Sequence, residues 1–141
     1  DRTFDFNYDA LQTGRRTVSN MNADGVLQDR SAKLFRGTID FQKGAAGSKG
    51  DEKEDVLLLG EDVVNRTIPL ILCAEEDVEG NHGASIGQLD EDILFYMNSR
   101  GLSRAEAELL ITRSKLEALC AKANDPGITD RVHRYLEENA Q

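Results

Sequence analysis

The feature that most constrains the fold of this chain is a change of hydrophobic period near residue 90. Before that point, apolar residues occur in short runs, often alternating with polar ones and separated by Gly, Asn and Asp. After it, they recur at spacings of three and four. A period of two is typical of strands, and the longer spacing is typical of amphipathic helices. The sequence therefore predicts a mainly β region over residues 1–89 and a helical region over residues 90–141.

The β region contains several short candidate strands separated by polar turns, such as the Asn22-Ala23-Asp24-Gly25 turn. The candidate strands are 3–8, 16–21, 26–27, 33–41, 56–59 and 67–72. Such a series is compatible with a β-sandwich. It is equally compatible with a β-helix, in which short strands and tight corners stack coil on coil. Because no exact repeat period is visible, the pattern by itself leaves both folds open.

The segment from Gly44 to Asp55 is rich in small and charged residues and predicts a surface loop. It lacks the Gly-x-x-x-x-Gly-Lys-Ser/Thr order of a nucleotide-binding loop, and its acidic residues would repel phosphate. The acidic residues at 51–55 and 75–79 also lack the spacing of a calcium loop, so both groups are expected to be solvated corners.

The helical region carries clear signals for helix ends. Asp90 predicts an N-cap, Gly101 a C-terminal turn, and Ser103 with Glu106 a capping box that opens a second helix. The Asn124–Gly127 segment should end that helix, and Thr129 should cap a third one. The positions expected to face inward are Ile93, Leu94, Tyr96, Met97, Ala107, Leu110, Ile111, Leu116, Leu119, Val132, Tyr135 and Leu136.

Charge and cysteine content narrow the classes of function. The formal net charge of -9 argues against nucleic acid and anionic membrane surfaces as partners. The two cysteines, Cys73 and Cys120, lie in segments of different character and do not predict a disulfide scaffold. Reduced thiols are expected, which favours the cytoplasm. No run approaches the roughly 18 apolar residues of a membrane span.

The residues at 82–90, 94–96, 99–102 and 105–107 resemble the C-terminal signature of the SufB/SufD family of iron–sulfur cluster assembly scaffolds. The resemblance extends back through Asp29-Arg30-Ser31, Phe35-Arg36-Gly37 and Pro69. It implies a right-handed parallel β-helix, the SufBD core, followed by a helical region. It also implies that the chain is the C-terminal part of such a scaffold and that it is not an enzyme. Asn81 and Gly83 replace the acidic residues of SufB-type members, which makes the chain more SufD-like.

The resemblance also implies two site residues. His82 matches a required histidine of SufD-type subunits, and Cys73 lies near the offset of a required SufB cysteine. Imidazole and thiolate are suitable donors for iron and for a transient Fe–S cluster. Judged without the resemblance, His82 would be a histidine that holds a turn, and Cys73 would be a small buried side chain.

The partners implied by the family are a SufC-type ABC ATPase and a SufB/SufD paralogue or a second copy of the chain, so that a dimer is expected. We expect the ATPase to dock on the helical region, where the candidate contact residues are Phe95, Tyr96, Arg100 and Leu110. A surplus of apolar helix surface is consistent with docking, although a cap on the end of a solenoid would show it too.

Two alternatives remain open at this stage. One is a carbohydrate-active β-helix enzyme, for which Asp5, Asp40 and Asp55 could supply carboxylates. The absence of Trp and the aromatic content of 6% leave little for sugar stacking and weigh against it. The other alternative is a structural fragment without a site.

Overall fold

The computed structural model of the protein describes residues 2–123 and 125–138. These residues form two compact units, which divide between Gly87 and Gln88. The first unit consists of strands and the second of helices.

The first unit is a parallel β solenoid. Its strands are β1 (Thr3–Gln12), β2 (Val18–Gln28), β3 (Ala32–Phe41), β4 (Ser48–Leu59), β5 (Val64–Cys73) and β6 (Val78–Gln88). Consecutive strands alternate between two sheets, one ordered β1-β3-β5 and the other β2-β4-β6. The pairs β1–β3, β2–β4 and β3–β5 are parallel. This winding confirms the predicted β-helix-like core and is inconsistent with a sandwich of antiparallel hairpins.

The coils differ slightly in length, which explains why no fixed repeat is visible in the sequence. Thr3 pairs with Ala32, Val18 with Lys49 and Ala32 with Val64, so these three strand pairs have offsets of 29, 31 and 32 residues. The corners between strands contain three to six residues. Arg16 and Asp29 take positive φ in two of these corners, with φ of 56° and 58°. The strands therefore repeat from coil to coil, and the corners between them differ in length.

The prediction of a surface loop from Gly44 to Asp55 is wrong for residues 48–55, which form the first part of β4. Ser48, Gly50, Glu52 and Glu54 are buried along this strand, and the residues between them face outward. The expectation that the acidic residues here form a solvated corner is likewise wrong for Glu52 and Glu54. The inward-facing positions of this part of β4 include a glycine and two glutamates instead of apolar residues. The alternation of apolar and polar residues that predicts a strand is therefore absent here. Strand β6, which is also rich in polar and small residues, was not among the predicted strands. The turn predicted at residues 22–25 is wrong, because β2 runs through these residues.

The hydrophobic core of the solenoid contains Ile39, Phe41 and Ala45, with Ile71 and Val78 packed against it. Two glycines face this core from the opposite sheet. A Cβ atom on Gly50 would lie 2.6 Å from Cγ2 of Ile39, and one on Gly80 would lie 2.8 Å from Cγ2 of Ile71. These positions thus allow the two sheets to approach closely around bulky side chains.

The second unit contains α1 (Glu91–Ser99), α2 (Arg104–Ala123) and α3 (Pro126–Glu138). The predicted ends of α1 and the start of α2 are confirmed. Asp90 Oδ1 accepts a hydrogen bond from the amide of Asp92 at 2.8 Å, and Gly101 has φ of 94°. Ser103 and Glu106 form the reciprocal capping box, because the Ser103 amide donates to Glu106 and the Glu106 amide donates to the Ser103 hydroxyl. None of the described helices is long and apolar enough to cross a membrane.

The predicted start of the third helix is wrong. Helix α3 begins at Pro126 rather than after Thr129, and Asp125 Oδ1 accepts a hydrogen bond from the Gly127 amide at 2.8 Å. Proline suits the first helical turn, where its missing amide hydrogen has no partner to lose. Asn124, part of the predicted stop signal, lies outside the described residues.

Several helix positions predicted to face inward are exposed. These are Ile93, Tyr96, Leu110 and Tyr135. Leu94, Ala107 and Leu136 are buried as expected, and Thr112 is buried although it is polar. The helices therefore have narrower buried faces than their hydrophobic patterns predicted.

Candidate functional site

His82 lies in β6, an edge strand whose neighbour within the described residues is β4. Two contacts fix the alignment of these strands: Lys49 Nζ lies 2.6 Å from Glu79 Oε2, and Asn81 Nδ2 lies 3.3 Å from Asp51 Oδ1. Both pairs join residues that are 30 positions apart. The same offset places His82 beside Glu52. The imidazole is exposed, so it is accessible at the end of the solenoid.

Glu52 is the buried neighbour of His82. Its exposed fraction is 3%, and its Oε2 atom has no hydrogen-bond partner among the described residues. The carboxyl packs over Gly37 of the opposite sheet, where an added Cβ would lie 2.6 Å from Cδ of Glu52. The glycine in the Phe35-Arg36-Gly37 motif therefore makes room for this carboxyl group.

The electrostatic environment of Glu52 follows from this position. Burial raises the pKa of its carboxyl group because the charged form is desolvated, His82 lowers this pKa, and the nearby Glu54 raises it again. The net direction is upward. A carboxyl group in this position therefore holds a proton more readily than an exposed one does.

The next inward residue of β4, Glu54, is fully partnered. Lys33 Nζ pairs with its Oε1 atom, and the Thr67 hydroxyl donates to its Oε2 atom at 2.5 Å. Together with Glu52 and His82, these residues form what we call the interior polar cluster: Lys33, Glu52, Glu54, Thr67 and His82. Sequence reasoning found only His82 of this set. Glu52 and Glu54 belong to the run of charged residues at 49–55, for which the sequence predicts a surface loop, and no local pattern singles out Lys33 or Thr67.

The second predicted site residue, Cys73, is also exposed but belongs to the other sheet. It ends β5, where it pairs with Phe41. Glu52 faces Gly37, whose partner in β5 is Pro69, four residues before Cys73. Cys73 and His82 are thus offset by about 13 Å along the strand direction, at roughly 3.3 Å per residue. The single chain does not bring them together.

The described residues contain no group of three or more His, Cys, Asp or Glu side chains positioned to hold a metal ion. Glu52 and His82 supply one carboxylate and one imidazole, which is an incomplete set for an iron site. A metal or cluster held here needs further donors, from solvent or from another subunit.

The four candidate contact residues of the helical unit are all exposed. Phe95 has 75% of its surface exposed and Tyr96 has 58%. The Arg100 guanidinium lies over the Tyr96 ring, 5.3 Å from its centre, in a cation–π contact. A large, exposed aromatic residue beside an arginine–tyrosine pair has the composition found at protein interfaces.

The carboxylates considered for a carbohydrate-active enzyme do not form a site. Asp5 pairs with Arg36, and Asp40 accepts a hydrogen bond from Gln42 at 2.7 Å. The register partner of Asp5 is Leu34, six residues from Asp40 along β3, so the two residues are offset by about 20 Å along the strand direction. Asp55 lies in the other sheet.

Comparison with known proteins agrees with this architecture. The profile of the family described as SUF system FeS cluster assembly, SufBD core domain, matches residues 1–115. The chain therefore belongs to the SufBD family.

Its relatives include proteins named for iron–sulfur cluster assembly. The chain is 30% identical over 141 residues to the iron-sulfur cluster assembly protein SufD of Bacillus subtilis, covering all of this chain and 32% of that protein. It is 27% identical over 107 residues to SufD of Escherichia coli, covering 76% of this chain and 25% of that protein. A SufBD family protein of Mycobacterium tuberculosis is 34% identical over 111 residues, covering 77% of this chain and 13% of that protein. The chain thus spans a third or less of the length of these relatives.

Proposed function

We propose that this chain is part of a cytoplasmic, non-catalytic scaffold subunit of the SUF system, on which a nascent Fe–S cluster is held transiently. The observation that carries the proposal is the position of His82, exposed on the edge strand β6 and beside the buried carboxyl group of Glu52. The names of the relatives, which refer to iron–sulfur cluster assembly, support it.

The edge strands indicate how the donor set would be completed. Strands β5 and β6 end the two sheets as they are described, so their outer backbone groups can pair with strands of another subunit. We propose that a SufB/SufD paralogue or a second copy docks here as the dimer partner. Such a partner would add donors to His82, and Cys73 would be available at the same end of the solenoid. An incomplete set of donors suits a scaffold because the cluster must leave again.

His82→Ala in the full-length subunit is expected to reduce Fe–S cluster assembly by tenfold or more, because it removes the accessible imidazole donor. The measurement is cluster-dependent activity of a reporter enzyme in cells that rely on this subunit. His133→Ala is the matched control, since His133 is an exposed histidine of α3 near Glu117 and is expected to leave assembly unchanged. Normal assembly by a stably folded His82→Ala subunit would contradict the role of His82.

We further propose that the helical unit docks a SufC-type ATPase through Phe95, Tyr96, Arg100 and Leu110. Their exposure supports this, and so does the pairing of Arg100 with Tyr96. Any ATP hydrolysis would be carried out by the partner, and the resulting conformational change would be transmitted to the scaffold.

Phe95→Ala is expected to weaken binding of the ATPase subunit by tenfold or more, because large exposed aromatic residues often dominate interface energies. Titration calorimetry with the purified ATPase subunit measures the effect. Tyr135→Ala provides a control, since this aromatic residue of α3 is also exposed but is not among the proposed contacts. Equal affinity of the Phe95→Ala variant and the wild type would place the docking surface elsewhere.

A further inference from the structure

Glu52 has an unusual environment for a buried acid. Its Oε2 atom lacks a hydrogen-bond partner among the described residues, although the side chain is 3% exposed. A buried polar atom without a partner is costly, and a buried charge is more costly still. A buried polar group of this kind is explained by a hydrogen-bond partner or ion from outside the chain, or by a functional role of the group itself.

The lysine of the interior polar cluster is paired with Glu54 and not with Glu52. Lys33 pairs with Glu54, which also accepts a hydrogen bond from Thr67. Both oxygens of Glu54 are therefore satisfied from within the chain. Glu52 depends instead on His82, whose imidazole interacts with it electrostatically, or on a bound species.

The position of the carboxyl group is defined by its surroundings. It fills the space that Gly37 leaves on the opposite strand, because a Cβ there would lie within 2.8 Å of both carboxyl oxygens. On the next coil, His82 lies at the same level and is exposed at the sheet edge. The Glu52 carboxyl group thus lies inside the solenoid, and the His82 imidazole beside it is exposed to solvent.

We propose that Glu52 is a second donor beside His82 and that the two side chains bind a single divalent transition-metal ion such as ferrous iron. This rests on the proposed function and deepens it, since it identifies what the site first accepts. Carboxylate and imidazole together suit ferrous iron, whereas a sulfide-bridged cluster is usually held by thiolates. Two donors from the chain leave the remaining coordination positions to water or to the partner subunit. Such a site exchanges its metal readily.

The test is anaerobic titration of the protein with Fe²⁺ by calorimetry, repeated with Co²⁺ because its visible spectrum reports coordination. Glu52→Gln retains the size of the side chain and should weaken binding by tenfold or more, as should His82→Ala. Glu52→Asp keeps the charge but retracts it, and an intermediate affinity is expected. The matched control is Asp51→Asn, which removes a carboxylate from the outward face of the same strand and should change the affinity by less than twofold.

The possible outcomes separate this inference from the proposed function. Wild-type affinity in the Glu52→Gln variant, with affinity lost in His82→Ala, would overturn the role of Glu52 and leave that of His82 intact. Absence of metal binding by the wild type would also overturn the inference, while the assembly test of His82→Ala would still decide the function. Thermal unfolding of each variant verifies that the compared proteins are folded.

Discussion

Lys33→Met is expected to lower the free energy of unfolding of the β solenoid by about 3–5 kcal/mol, the usual effect of removing one partner of a buried ion pair. This loss is expected because the Glu54 side chain is 1% exposed and Lys33 supplies the positive charge that pairs with it. Without Lys33, the buried Glu54 carboxyl group loses the opposite charge that compensates for its removal from water. Urea unfolding followed by circular dichroism measures the loss.

The double variant Lys33→Met/Glu54→Leu is expected to recover most of the lost stability, because replacing both members of a buried pair by apolar residues is often neutral or stabilising. Lys49→Met is the control for charge removal, since Lys49 pairs with Glu79 on the exposed surface and should show little change. A loss in Lys33→Met no larger than that in Lys49→Met would show that Glu54 does not depend on Lys33.

Phe41→Ala is expected to cost about 3–5 kcal/mol in the free energy of unfolding, because it removes a fully buried ring and leaves a cavity. Phe41 has no exposed surface and lies in the core cluster with Ile39 and Ala45. Gly50 and Gly80 face the ring from the opposite sheet, and neither has a side chain that could fill the space. The same urea titration provides the measurement.

Phe4→Ala is the matched control, since it makes the same chemical change at a ring that is 37% exposed. Phe4 stacks on Phe6 with ring centres 5.9 Å apart, but a smaller loss is expected than at Phe41 because the Phe4 ring is already partly in contact with water. Similar losses in the two variants would indicate that the core around Phe41 relaxes to close the cavity.

The parts of the fold that sequence reasoning predicted correctly are those fixed by local chemistry. Asp90, Gly101 and the Ser103–Glu106 pair mark helix ends because their side chains or backbone freedom act within one turn. The start of α3 was missed because Thr129 and Asp125 are both good caps. Pro126, which suits the first helical position, favours Asp125, whose Oδ1 atom accepts a hydrogen bond from the Gly127 amide.

The interior polar cluster could not be predicted because its pattern is set by neighbouring coils. Glu54 is buried since Lys33 and Thr67, which are 21 and 13 residues away, meet it across the core. Glu52 is buried since Gly37 leaves a space for it. A charged residue is expected to be exposed unless it has a partner inside the protein. That partner can be identified only when the pairing register of the strands is known. His82 was found through the resemblance to a family and not through its surroundings.

The variable corners of the solenoid have a consequence for the evolution of this chain. Coil offsets of 29, 31 and 32 residues coexist with intact strand pairing, so a residue gained or lost in a corner leaves the neighbouring strands in place. A residue gained within β4 would instead exchange the inward and outward faces on one side of the insertion, and Glu52 and Glu54 would move to the surface if they lie on that side. Length variation among relatives should therefore concentrate at the corners, and the strands that carry the interior carboxylates should keep a constant length.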